Sequence, residues 1–279
     1  RVKIITHDLV SKFTMRQMLE LGLGGGFDAF LNVAAESHVD RSITEPEVFI
    51  RNNTDIMLTM LELARHLQPK LFLQFSTDEV YGQAPKGVDH KEWSPIVPSN
   101  PYSASKACQE AIAISYWRTY GIPLIITNTM NVFGERQDKE KFVSLCIDKI
   151  RKGDEITIHG YPDGVTAGSR FYIHARNVAS AILFILENIE PEMYPDVERP
   201  VRFNVVGEKE VDNLTMAKLI AEYVGKPLKY KIVDFHSSRP GHDCRYALDG
   251  SLLEKYGWVP QVSFEESLKR VVEWTLTNK

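Results

Sequence analysis

The stretch KLFLQFSTDEVYG, residues 70–82, decides the fold. Its first half, Lys70 to Ser76, is a short apolar run of the kind that forms a strand buried on both faces of a parallel sheet. Its second half turns polar at Ser76-Thr77-Asp78-Glu79, and in open α/β sheets ligands collect where strands end at their carboxyl side. The same alternation repeats outward in both directions. Phe27 to Ala35 (FDAFLNVAA) reads as a strand. Thr54 to His66 reads as a helix with Thr54 as N-cap, apolar Ile56, Met57, Met60, Leu61 and Ala64 at helical spacing, and Pro69 to stop it. Pro101 to Tyr120 is a helical pattern with its proline at the start, where the missing N–H costs least, and Leu124 to Asn128 (LIITN) is the next buried strand. Strands alternating with helices predict an α/β fold, a Rossmann-like doubly wound parallel sheet.

After Gly134 the character changes to polar loops between helices, Phe142 to Arg151, Asn177 to Asn188 and Leu214 to Val224. Ser263-Phe264-Glu265-Glu266 is a capping box that opens a last helix with Leu268, Val271 and Val272 on its apolar side. The expected division is a sheet domain over 1–134 and a smaller C-terminal α/β domain over 135–279, with 171–190 packing back on the sheet. A dinucleotide-binding sheet normally opens with strand, glycine-rich turn and helix. The glycine cluster here, Leu21 to Phe27, follows a helical pattern and precedes a strand, the reverse of what a phosphate cradle needs, so it reads as a connecting loop. The chain is therefore expected to begin partway through its fold.

Composition narrows the class. A chain of 279 residues has room for one large domain or two modest ones. Lys plus Arg total 33 against 37 for Asp plus Glu, a net charge of −4 that disfavours a nucleic-acid binder acting through bulk charge. The longest apolar stretch, Ala181 to Leu186, is far short of a membrane span. Three cysteines, Cys108, Cys146 and Cys244, lie far apart and read as reduced thiols of a cytoplasmic protein. Two sequons, at Asn52 and Asn213, read as chance matches.

Two features carry chemistry. Tyr102 and Lys106 in Tyr102-Ser103-Ala104-Ser105-Lys106 stand at i and i+4, on one face of a helix. A nearby ammonium stabilises phenolate, which lowers the tyrosine pKa toward the range of a useful base. Asp78 and Glu79 are adjacent carboxyls at a strand end, able to supply an acid and a base in one pocket or, more plainly, an acidic turn.

Together these residues resemble the extended short-chain dehydrogenase/reductases, and within them the dTDP-glucose 4,6-dehydratases. The likeness runs through Ala34-Ala35-Glu36-Ser37-His38-Val39-Asp40-Arg41-Ser42, STDEVYG at 76–82, Asn100 to Lys106, and Arg239-Pro240-Gly241-His242-Asp243 with Arg245-Tyr246. It implies NAD as cofactor and a nucleotide-sugar substrate, an NDP-glucose oxidised at C4, dehydrated across C5 and C6, and reduced at C6. The implied catalytic set is Thr77, Asp78, Glu79, Tyr102 and Lys106. Cofactor contacts carried over are Asp8, Leu9, Val33, Ala34, Ala35, Glu36, Asn52 and Val132, beside Tyr102 and Lys106. Substrate contacts are Ser37, Thr77, Asn131, Lys141, Phe142, Arg170, Asn213, Arg239 and His242.

Each has a plainer alternative: Asp8 as a turn residue, Arg170 and Arg239 as ion-pair partners, Asn131 as a cap. The eight histidines show no metal-ligand spacing, and no metal is expected. The likeness departs at Asn52, where the family often has Thr, at Val132, where it often has Asn, and in the longer loop Tyr161 to Gly168, which leaves the nucleobase open. The alternatives are another NDP-sugar enzyme, a 4-epimerase or UDP-glucuronate decarboxylase, and a non-catalytic NAD-binding scaffold. The resemblance also implies a homodimer through helices 54–66 and 101–118, with Ile112, Ile114 and Trp117 equally explained by core packing.

Overall fold

The computed structural model describes residues 2–20, 22, 26–191, 198–235, 241 and 243–278. In chain order the elements are α1 (Met15–Glu20), β1 (Ala29–Asn32), α2 (Val39–Thr44), α3 (Pro46–Leu67), β2 (Leu71–Thr77) and a 3₁₀ turn (Asp78–Tyr81). Then come α4 (Pro101–Tyr120), β3 (Leu124–Thr129), β4 (Val132–Phe133), α5 (Phe142–Lys152), β5 (Ile156–Gly160), β6 (Ser169–Phe171), β7 (Ile173–His174) and α6 (Ala175–Asn188). The last are β8 (Val201–Val205), β9 (Glu210–Asp212), α7 (Asn213–Val224), β10 (Tyr230–Asp234), α8 (Ser251–Lys255) and α9 (Phe264–Asn278). The central sheet has the order β1-β2-β3-β8, and β1 runs parallel to β2 with Ala29 opposite Leu71 and Asn32 opposite Gln74. The α/β class and the parallel central sheet are as the alternation of runs predicts.

Two compact units share the chain. One comprises residues 1–80, 96–128 and 186–203; the other comprises 81–95, 129–185 and 204–279. In the first, α3 and α4 pack together over the sheet around Met57, Leu61, Ala64, Phe72, Ala113, Leu124 and Ile126. In the second, Val143, Cys146, Ile147 and Ile150 of α5 meet Met216, Ala217 and Ile220 of α7 and Leu268, Val271 and Val272 of α9. Smaller strand pairs complete this unit: β5 with β10 and β4 with β7, both parallel, and β6 with β9, antiparallel. Among the described residues no helix is long and apolar enough to cross a membrane.

Local chemistry explains most boundaries. Asn100 caps α4 by accepting from Ser103 N, Ser103 returns the bond to Asn100 N, Pro101 takes the first helical position, and Gly121 closes the helix at φ 67. Ser263 Oγ accepts from Glu266 N at 3.3 Å at the opening of α9, one of the two bonds of the expected capping box. The start of α3 differs from expectation. It begins at Pro46 rather than at Thr54, because Pro46 supplies the opening and the helix runs on through Asn52-Asn53. Asn53 interrupts the apolar spacing but is fully buried, its side chain bonded across the fold.

The first unit also buries charge. Arg202 on β8 and Glu110 on α4 form an ion pair at 2.8 Å with both side chains sealed from solvent. Asn128 Nδ2 donates to Glu110 Oε1 at 2.8 Å and to the Thr77 carbonyl at 3.0 Å, joining the pair to the end of β2. Removing one member of such a pair strands the other charge and costs about 3–5 kcal/mol. Arg202→Met is expected to lower stability by about that much, and Arg202→Met with Glu110→Leu to recover most of the loss, as read from urea unfolding midpoints.

Candidate active site

β2 delivers the site. Its residues are buried up to Thr77, and the chain then turns through the 3₁₀ segment, with Gly82 at φ 73 letting it leave. Thr77, Asp78 and Glu79 are all buried at this strand end. Thr77 Oγ1 donates to Asp78 Oδ1 at 2.8 Å and accepts from Glu79 N at 3.3 Å, so one hydroxyl organises both acids. Asn100 Nδ2 donates to Glu79 Oε2 at 3.3 Å.

α4 supplies the other half. Its inward stripe is polar: Ser103, Ser105, Lys106, Gln109 and Glu110 are buried along with Ala113. Tyr102 is fixed at its amide by Ser42 Oγ at 3.1 Å, a serine of α2 that is itself fully buried, and its phenol hydrogen-bonds Thr77. Tyr102, Thr77, Asp78 and Glu79 therefore come together as expected. The electrostatics differ from expectation. Although Tyr102 keeps some exposure overall, burial of the phenol, with Glu79 beside it, raises its pKa well above the ordinary range; the Thr77 bond opposes this and Asp78 adds to it. Lys106 does not offset that rise. Its ammonium is turned into the protein, donating to the Phe75 carbonyl at 2.8 Å and to Gln109 Oε1 at 2.7 Å. Burial pulls its pKa down to about 8, with Glu110 opposing.

The segment expected along a dinucleotide leaves the carboxyl end of β1. Val33 is 57% exposed, Ala34 and Ala35 are half-buried, and Glu36 and Ser37 are exposed. Asn53 clamps this segment: its Oδ1 accepts from Glu36 N at 2.7 Å, and its Nδ2 donates to the Glu36 carbonyl at 3.1 Å and to Ser105 Oγ at 2.7 Å. Asn52 reaches the Glu36 carboxylate at 3.4 Å. Asp8 accepts from Val10 N at 3.1 Å, the turn role weighed for it, and Leu9 packs at the margin of the core.

In the second unit, Asn131 and Val132 are half-buried at the start of β4, and Asn131 Oδ1 is sealed from solvent with no hydrogen-bond partner among the described residues. Lys141 and Phe142, both half-buried, open α5. Arg170 commits three of its guanidinium N–H donors to main chain, the carbonyls of Ser169, Asp243 and Cys244 at 2.6–2.8 Å, and stacks over Tyr246. Asn213 Oδ1 accepts from the Tyr172 hydroxyl at 2.6 Å. Arg239, His242 and most of the glycine cluster lie outside the described residues. Among the described residues no group of three or more His, Cys, Asp or Glu side chains is placed to hold a metal ion.

Sequence reasoning missed Asn32, Ser42, Asn53, Gln74, Ser105, Gln109, Glu110, Asn128 and Arg202. A signal was present in three of them: Gln74 interrupts an apolar strand, Arg202 interrupts VRFNVV, and Glu110 follows Lys106 by one helical turn.

Residues 1–271 match the family described as GDP-mannose 4,6 dehydratase. The dTDP-glucose 4,6-dehydratase 1 of Escherichia coli is 36% identical over 276 residues, covering 90% of this chain and 73% of that protein. The low-salt glycan biosynthesis protein Agl12 of Haloferax volcanii is 36% identical over 249 residues, 89% of this chain and 76% of that one. Among solved structures, the Streptomyces venezuelae dTDP-glucose 4,6-dehydratase DesIV with NAD and TYD bound superposes with a TM-score of 0.83 at 32% identity, covering 98% of this chain and 79% of that one. The UDP-glucose 4-epimerase of Thermus thermophilus with NAD also gives 0.83, at 25% identity, over 95% and 81%. With a strand-end Thr-Asp-Glu set against a Tyr-x-x-x-Lys helix and a family match over nearly its whole length, the chain belongs to the GDP-mannose 4,6 dehydratase family of extended short-chain dehydrogenase/reductases.

Proposed function

We infer that the chain is an NAD-dependent nucleotide-sugar 4,6-dehydratase that turns an NDP-glucose, dTDP-glucose foremost, into the NDP-4-keto-6-deoxyglucose. The observation that carries this reading is the pair of buried carboxyls, Asp78 and Glu79, organised by the same Thr77 hydroxyl that meets the Tyr102 phenol. A 4-epimerase has to oxidise C4 and return the hydride; a second acid and base beside that machinery suits removal of a proton from C5 and departure of the 6-hydroxyl as water.

The residues fit the cofactor. Lys106 has three donors and spends two inside the protein, leaving one N–H of a fixed ammonium for a ribose hydroxyl. Val33 to Glu36 present clamped backbone at the carboxyl end of β1, the place where such folds take a dinucleotide. Bound NAD supplies an acceptor for the C4 hydride and the donor that returns it to C6. Tyr102 takes the proton of the 4-hydroxyl, Thr77 orients that hydroxyl, Glu79 as carboxylate takes the C5 proton, and protonated Asp78 supplies a proton to the leaving 6-hydroxyl; C5 regains a proton from Glu79 as C6 is reduced. Tyr102 starts with a phenol raised by its surroundings, so it needs positive charge to act near neutral pH, and Lys106 one turn along is the chain's own group of that sign. Asn131, with its buried oxygen open to a donor, is assigned to the sugar, and Lys141, Phe142, Arg170 and Asn213 to the nucleotide end.

The reading includes a homodimer built on α3 and α4, where Val48 and Leu58 are exposed, and work in the cytoplasm, where the free thiols of Cys108, Cys146 and Cys244 stay reduced. Ile112, Ile114 and Trp117 pack partly against the first unit's own core.

Incubation with dTDP-glucose followed by alkali is expected to develop the ultraviolet absorbance of a 4-keto-6-deoxy sugar; no such product with any NDP-glucose overturns dehydration. Glu79→Gln is expected to lower product formation by about a hundredfold or more and to abolish deuterium entry at C5, while substrate still reduces the bound cofactor; full turnover in that variant removes Glu79 as the base. Tyr102→Phe is expected to slow the cofactor reduction itself by about 10²–10⁴-fold in single-turnover absorbance measurements. Light scattering is expected to give twice the mass of one chain, and a monomer rejects the dimer.

A further inference from the structure

A buried chain of amides runs behind the site. Asn32 on β1 donates through Nδ2 to Gln74 Oε1 on β2 at 2.8 Å. Gln74 Nε2 donates to Gln109 Oε1 on α4 at 3.1 Å, and Gln109 Nε2 donates to the Asn53 carbonyl on α3 at 2.8 Å. Gln109 Oε1 also accepts from the Lys106 ammonium at 2.7 Å. Asn32, Gln74, Asn53 and Gln109 are all within 2% of complete burial.

The order of donors and acceptors admits one arrangement. Turning the Gln109 amide over would set its NH₂ against the Lys106 ammonium and against the NH₂ of Gln74, donors facing donors. Gln74 is held by the Phe75 carbonyl, which accepts from its Nε2 at 3.2 Å, and its oxygen takes the Asn32 amide. The Gln109 oxygen is thus aimed before any ligand arrives, and it meets a cation, the stronger kind of hydrogen bond. Lys106 carries a flexible stem whose ammonium would otherwise sample several directions. Two fixed acceptors, the Phe75 carbonyl and Gln109 Oε1, leave its third N–H one direction to point.

We propose that Gln109 is a positioning residue of this enzyme: its side-chain oxygen, locked by Gln74 and Asn32, holds the Lys106 ammonium protonated and turned so that its remaining donor faces the cofactor ribose. The proposal rests on the reading of Lys106 as a cofactor and Tyr102 partner. The ionisable group that acts on the ammonium is Glu110, one turn further along α4 and itself paired with Arg202 on β8, and Tyr102 stands one turn before it. From β1 and α3 the facing groups are the neutral Asn32 and Asn53, with Glu36 held beyond Asn53. Substituting Gln109 leaves all of these in place.

The sign follows from which form the bond favours. Gln109 Oε1 accepts from the ammonium and not from the amine, so losing it lowers a Lys106 pKa that burial already holds at about 8. The charged form is the working one and is lost as pH rises through that value. Gln109→Met, of similar volume, is therefore expected to move the alkaline limb of the kcat profile down by about one pH unit and to cut kcat at pH 8 about fivefold, with KM for the sugar nucleotide within about twofold. Gln109→Glu is expected to move the limb up and to retain activity below it. Titration of NAD into each protein provides a readout that needs no turnover: binding to Gln109→Met is expected to weaken several-fold above pH 7, while binding to Gln109→Glu is not.

If both variants keep the alkaline limb and the NAD binding of the parent, or both lose activity equally at every pH, Gln109 is packing only and the proposal falls. A parent protein that makes no 4-keto-6-deoxy product overturns the dehydratase reading instead, and the pH dependence of NAD binding still decides for or against Gln109.

Discussion

A lysine ammonium sealed inside the first unit is the constraint on which the rest of that unit depends. Burying a charge costs several kcal/mol unless hydrogen bonds replace its water. Lys106 is 3% exposed, so the residues facing it must be polar and must themselves be satisfied. This is why α4 turns Ser103, Ser105, Lys106, Gln109 and Glu110 inward, where a helix covering a sheet normally presents aliphatic side chains. The polar stripe gives up hydrophobic burial, and the apolar face of α3, with Met57, Leu61 and Ala64 fully buried, carries that contact instead. Glu110, next along the stripe, brings a second buried charge, and Arg202 on β8 answers it.

The same network fixes the geometry of the site. Asn128 ties Glu110 to the carbonyl of Thr77, and Thr77 in turn bonds Asp78, Glu79 and Tyr102. Ser42 holds the start of α4 at the Tyr102 amide, and Asn53 holds both Glu36 and Ser105. Every group assigned to chemistry on β2 and α4 is therefore hydrogen-bonded to a second group that is itself buried. That rigidity is what keeps reacting atoms within the fractions of an ångström that catalysis requires.

Much of this was legible in the sequence, and the failures have physical reasons. The strand at 71–77 and the helix at 101–120 follow from a short, largely apolar run and from a proline beside an asparagine cap. The start of α3 lies two turns before the expected Thr54 cap, because Pro46 opens the helix and the buried Asn53, bonded across the fold, hides the earlier apolar spacing. β8 was not recognised at all, since an arginine and an asparagine in VRFNV break the apolar pattern; Arg202 is there for Glu110, and Asn204 is there for the His90 and Asp249 carbonyls. Partners so far apart in sequence leave no spacing to read. The strand-end acids and the Tyr-Lys helix were legible because each is a local motif. The amides that orient them were not, because Gln74 and Gln109 acquire a role only when the sheet and α4 meet.

An adjacent Asp-Glu pair gains its meaning from the backbone on which it sits. In a strand, neighbouring side chains point to opposite faces, and one of the two would be lost to the site. Here they fall on a single 3₁₀ turn at the end of β2, where both stay buried and each finds different company. Asp78 takes the hydroxyl of Thr77, and Glu79 takes the amide of Asn100 from the cap of α4. A reaction that must remove one proton and deliver another within one pocket needs two acids that do not share the same partners, and here the turn divides two neighbours between the sheet and the helix.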